Sequence, residues 1–140
     1  MAQNALHLHT DGQGPVLCIK NKTEMIFLQL DNILYIQADG NYCNIRLVDG
    51  GIINTLTYQR AEIARMMDEQ LSHEERQRFA MLGRSFLINT AYVLRIQPGK
   101  HQLTFSVNRF GTTEKVTLRA TTKALTNLIA EMEKWSGADI

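Results

Sequence analysis

Between Pro15 and Thr57 no stretch of the chain runs more than about seven residues before turn chemistry interrupts it. The segments "VLCIK", "EMIFLQL", "ILYIQA", "YCNIRLV" and "IINTLT" are short and rich in aliphatic and aromatic residues. Such pieces are too short for packed helices and suit strands of ordinary length. Asp39-Gly40 and Asp49-Gly50 fall between them, and glycine accepts the positive φ that tight hairpins demand. An antiparallel meander is the expectation.

The period then changes. In "TYQRAEIARMMDEQL" residues Ile63, Met66, Met67 and Leu71 recur at helical spacing, with Glu62, Arg65, Asp68 and Glu69 available for the wet side. This predicts an amphipathic helix on the sheet, followed by "SHEERQ" as a polar connector. Strands return as "RFAML", "AYVLRI", "QLTFSV" and "KVTL", and a last helix starts at Thr121 or Thr122 with Leu125, Leu128, Ile129 and Met132 on one face. The predicted fold class is mainly β, with short antiparallel strands in small sheets and two short amphipathic helices.

At 140 residues one core suffices without metal or disulfide staples. The expected organisation is a flexible polar tail over residues 1–14, one domain over 15–135, and a short tail over 136–140. His7 and His9 lack a third ligand nearby and read as part of the first tail. Cys18 and Cys43 belong to no CxxC or Cys/His cluster, which points to a reduced, cytoplasmic setting. No stretch approaches a membrane span, and the first residues lack the pattern of a signal peptide.

Catalytic chemistry is thinly represented. His73 and His101 fall in a charged connector and a turn, Ser85 has no GxSxG context, and Gly50-Gly51 lacks the spacing of either common nucleotide fingerprint. The expectation is a protein without enzymatic activity, cofactor or metal. Charge is more informative, because net charge is only +1 yet eight Lys and Arg stand against four Asp and Glu from Met81 onward. Sorted by face, "NYCNIRLV" turns Tyr42, Asn44 and Arg46 away from Cys43, Ile45 and Leu47. Likewise "KVTLR" turns Lys115, Thr117 and Arg119 away from Val116 and Leu118. Those rows carry donors suited to phosphate and base edges, although exposed strand faces are commonly Thr, Arg, Lys and Tyr as well.

The order of four segments adds to this reading: "LDNILYIQADGNYCNIRL", the helix from Tyr58, "FAMLGRSFLINTAYVLRI" and "TLRATTKAL". Together they resemble the LytTR family of bacterial DNA-binding domains, with its "I..I.YIEA.GNY" strand and turn, helix, "F.R.HRS..VN" segment, and closing "SRR" stretch before a terminal helix. The resemblance implies a transcriptional regulator that reads double-stranded DNA in successive major grooves through loops and strand ends.

Carried over by position, Tyr42 lies at or next to the first contact, Arg84 with Ser85 at the second, and Arg119 beside the third, with Asn41 and Lys123 as further candidates. The family also implies spaced-repeat sites, weak dimerisation on DNA, and a stand-alone domain here, since 140 residues leave no room for a receiver domain. Three positions depart from the pattern: Gly83 stands in place of a histidine, Met81 in place of a basic residue, and Leu118 and Ala120 flank Arg119 in place of polar partners. These departures carry the alternative reading, a protein-interaction module of the same fold that docks on a regulatory partner with weakened or lost DNA binding.

Overall fold

The computed structural model describes residues 14–55 and 60–135. The expected tails, the histidines of the first tail, and the residues joining the fifth strand to the first long helix lie outside the described residues. The described chain falls into two compact units divided between Arg76 and Gln77.

In the first unit β1 (Val16–Lys20) pairs antiparallel with β2 (Met25–Gln29). A 3-10 turn over Leu30–Asn32 leads into β3 (Ile33–Asp39), which pairs with β4 (Tyr42–Leu47), and β4 with β5 (Ile52–Thr55). The alternation read from the sequence turns Cys43, Ile45 and Leu47 inward; Cys43 and Ile45 are fully buried, Leu47 at the strand end is half-buried, and Ile33 and Ile36 of β3 are fully buried as well. Helix α1 (Arg60–Gln70) packs on β1 and β3 and buries Ile63, Ala64, Met66 and Met67. Fully burying one such large aliphatic side chain contributes about 1.5–3 kcal/mol. Leu71 lies beyond the helix end and is only half-buried. At that end the Gln70 amide both accepts from the Cys18 N–H (2.8 Å) and donates to the Cys18 carbonyl (2.7 Å), pairing with β1 as a strand neighbour would.

Neither hairpin turn is centred on its Asp-Gly pair: the first lies one residue later and the second one residue earlier. Asp39 faces Tyr42, so the β3–β4 turn is Gly40-Asn41, with φ +64° at Gly40. The β4–β5 turn closes through Gly50 N–H to the Leu47 carbonyl (3.1 Å), and Gly50 itself, at φ +97°, is the left-handed residue that follows it. The predicted polar connector is helical instead: α2 (His73–Gln77) begins at Ser72, whose N–H donates to the Glu75 carboxylate (2.8 Å) while the Glu75 N–H donates to the Ser72 hydroxyl (3.2 Å). This reciprocal cap satisfies helix-start donors that the short segment could not otherwise pair.

The second unit holds the β6–β7 hairpin (Phe79–Leu82 and Phe86–Asn89), then a 3-10 turn, β8 (Val93–Gln97), β9 (Gln102–Arg109) and β10 (Thr112–Arg119). The last three form a sheet in the order β10-β9-β8. Helix α3 (Thr122–Trp135) packs against β6 and β8, burying Leu125 and Leu128. Phe105, Leu103 and Val107 form the buried row of the central strand. Among the described residues no helix is long and apolar enough to cross a membrane.

Candidate nucleic-acid interface

The second unit assembles most of the candidate residues. Leu82 faces Phe86 across the β6–β7 hairpin, so Gly83, Arg84 and Ser85 form its turn. The strands beneath are firmly seated: Phe79, Ala80, Leu82, Leu87 and Ile88 are buried. Asn89 ends β7, is 1% exposed, and its side chain accepts from the Ala91 N–H (3.1 Å), starting the next 3-10 turn. It fixes the backbone that follows the Arg84 hairpin.

Gly83 has φ +62°, and a Cβ there would stand 3.7 Å from the Ala124 Cβ on α3. The departure from a histidine at this position therefore has a conformational reason. Only glycine enters this left-handed bend without strain, and the bend leaves Arg84 and Ser85 exposed.

Arg84 shares an open concavity with Met81, Gly83, Thr121, Lys123 and Asn127. Its lining contains two cations and no carboxylate, and neither Arg84 nor Lys123 makes an ion pair with another described residue. Helix α3 opens onto it. Thr121 caps the helix by accepting from the Ala124 N–H (3.1 Å), and no acid occupies the first turn, so the positive end of the helix dipole stays uncompensated. Lys123 and Asn127 are one helical turn apart on the same face. Sequence reasoning found Lys123 but not Asn127 or Thr121, although the four-residue spacing was available to find Asn127.

Arg119 ends β10 two residues before Thr121, opposite Gln102, and is exposed. Met81, whose place a basic residue takes in the family pattern, is 52% exposed at the rim. The two histidines weighed as bases are placed otherwise: His73 opens α2 in solvent, and His101 is an exposed left-handed residue whose Nδ1 lies 3.5 Å from the Thr122 hydroxyl.

Asn41 and Tyr42 belong to the first unit and form a separate exposed pair on the β3–β4 hairpin, with Tyr42 53% exposed and opposite the exposed Asp39. Of the row expected to face outward with Tyr42, Asn44 and Arg46 are half-buried. Behind it, burial pushes the Cys43 thiol up to about 11, with the negative charge of Glu62 adding to the shift. Cys18 is also raised by burial, and both cysteines are free thiols.

Comparison with known proteins bears on the fold and the family. No curated protein matches the chain. Among solved structures, the LytTr DNA-binding domain of a protein described as a methyl-accepting/DNA response regulator from Bacillus cereus superposes with a TM-score of 0.53 at 15% identity, covering 84% of this chain and 95% of that one. At that identity the likeness concerns the fold, which is the β-rich, small-sheet architecture described above. The model of the LytTr DNA-binding domain matches residues 23–130, across both units, and the chain belongs to that family.

Proposed function

We propose that this protein is a cytoplasmic transcriptional regulator that binds double-stranded DNA sequence-specifically, reading major grooves through loops and strand ends. The observation that carries the reading is the acid-free concavity in which Arg84, Lys123 and the α3 N-terminus converge without internal ion pairs. Arg84 suits bidentate pairing with guanine O6 and N7, whereas Ser85, Arg119 and Lys123 suit phosphate oxygens. Asn41 and Tyr42 supply a further contact from the β3–β4 hairpin. Residues 15–135 act as one binding domain, a reading supported by the family match running through both units. The sites are spaced repeats, with weak dimerisation on DNA.

Selection from a fragmented genomic pool at two salt concentrations tests this. Enrichment of spaced repeats is expected, with affinity falling as salt rises. On a selected site, Arg84→Ala should weaken binding by about 1–3 kcal/mol and relax preference at one base pair. Equal loss on every sequence would make Arg84 a phosphate contact.

A second reading rests on Met81. An apolar side chain half-exposed beside Arg84, with Ala120 in place of a polar residue after Arg119, favours an interaction module that docks on a regulatory protein. Its mark would be a defined protein complex together with failure to bind any duplex at low salt.

A further inference from the structure

The turn between β9 and β10 is built from a residue that its backbone disfavours. Thr112 faces Arg109, so Phe110 and Gly111 are the two central residues, with φ +53° and +77°. A two-residue turn with positive φ at both positions favours Asn-Gly, and a bulky residue in the first place is an outlier. Nor does burial account for the choice, because Phe110 is 96% exposed. Neither the turn's backbone nor packing against the described residues explains an aromatic ring at the tip.

The hairpin beneath carries a consistent face. The pairs Asn108–Thr113, Ser106–Lys115, Thr104–Thr117 and Gln102–Arg119 all lie on the side opposite the buried Leu103, Phe105 and Val107. Every position on that face is a cation, a hydroxyl or an amide. The hairpin's acid, Glu114, stands opposite Val107 on the inner side. Near the tip the Thr113 hydroxyl donates to the Asn108 amide oxygen (2.7 Å), tying the two strands together.

We propose that the β9–β10 hairpin is an additional DNA contact, an arm whose outward face follows the phosphates and whose Phe110 enters the minor groove as a wedge that bends the duplex. The proposal rests on the DNA-binding reading above and extends it to a surface outside the concavity. Charge selects the occupant: an acid-free row of donors complements a polyanion. An apolar wedge ending a cationic contact is the means by which minor-groove proteins unstack and kink DNA. Reach permits it, since eight residues of strand carry the tip about 25 Å from Arg119, less than one helical turn of about 34 Å.

The test measures affinity and end-to-end energy transfer on a selected, end-labelled duplex for the full chain and for Phe110→Asn, Phe110→Leu, Lys115→Gln and Arg84→Ala. Phe110→Asn suits the turn and removes the wedge. It should straighten the duplex and weaken binding about tenfold, while Phe110→Leu holds the bend. Lys115→Gln should lower the log–log salt slope by about one. If Arg84→Ala weakens binding but Phe110→Asn leaves affinity and bend unchanged, the arm is overturned and the DNA-binding reading stands. Loss of self-association in Phe110→Asn with an unchanged bend would overturn it in favour of docking on a second copy. A parent chain that binds no duplex would sink both readings.

Discussion

The Gly83 turn and the Phe110 turn meet the same backbone requirement with opposite residue choices. Each needs a left-handed residue at its start, at φ +62° and +53°. At the first turn glycine takes the strained position, and the exposed cation follows it. At the second the strained residue is itself the exposed one, and glycine follows. The strands below differ too, because β6 and β7 are buried almost to the turn, whereas β9 has its last buried residue at Val107, three positions before Phe110. A firmly seated turn can hold a guanidinium at a fixed place for base recognition, which needs accurate geometry. A turn standing beyond the core suits a contact that follows a deformable groove.

That contrast can be broken at its supports. Asn89 is the buried polar residue behind the first turn, and Asn89→Ala removes the acceptor for the Ala91 N–H while opening a small void. We expect a loss of about 2 kcal/mol in urea unfolding, the scale for an orphaned buried polar group. DNA affinity should fall further than for Ser72→Ala, which loosens only the α2 cap in the other unit. An unchanged midpoint would mean that the turn is not held from behind. A smaller effect is expected at Gly83: alanine at φ +62° strains the backbone, and Gly83→Ala should lower stability by about 1 kcal/mol. Stability equal to the parent chain would show the bend relaxing, and with it the idea that glycine is needed to present Arg84.

Much of this was legible in the sequence because it rests on local rules. Short apolar runs bounded by turn residues mark every described strand except β7 (Phe86–Asn89), whose four residues follow the Gly83 turn too closely to stand out from β6; the Ile63–Met67 pattern marks α1, and Thr121 marks the start of α3. What escaped depended on pairing across strands. The centre of the β3–β4 turn follows from Asp39 facing Tyr42, which composition does not reveal, so the Asp39-Gly40 pair points one residue early. The Ser72–Glu75 cap carries an S-x-x-E signature, but "SHEERQ" has no apolar face for a helix to bury and so no helical period to accompany it. In the site, Arg84 and Lys123 were found by motif position. Their convergence with Thr121 and Asn127 is a property of α3 packing on β6, which no spacing rule contains. Phe110 is not legible as a special position, because a single aromatic in a sequence carries no sign of its φ or its exposure.

The smallest effect is the most discriminating for the comparison. In Phe110→Asn the ring gives up no buried surface, being almost wholly exposed, and asparagine tolerates the left-handed conformation that phenylalanine resists. Folding stability should therefore rise by about 0.5 kcal/mol, measured by urea denaturation of the DNA-free protein. Gly83→Ala moves stability the other way at the same kind of position, so the two variants form a matched pair of opposite sign. A gain in stability at Phe110 means that the parent sequence holds a less stable turn than the fold permits, as expected where a residue is kept for what it touches in a complex. A loss would show that the ring finds contacts in the free protein, and the turn would then belong with the Gly83 turn as a part of the fold.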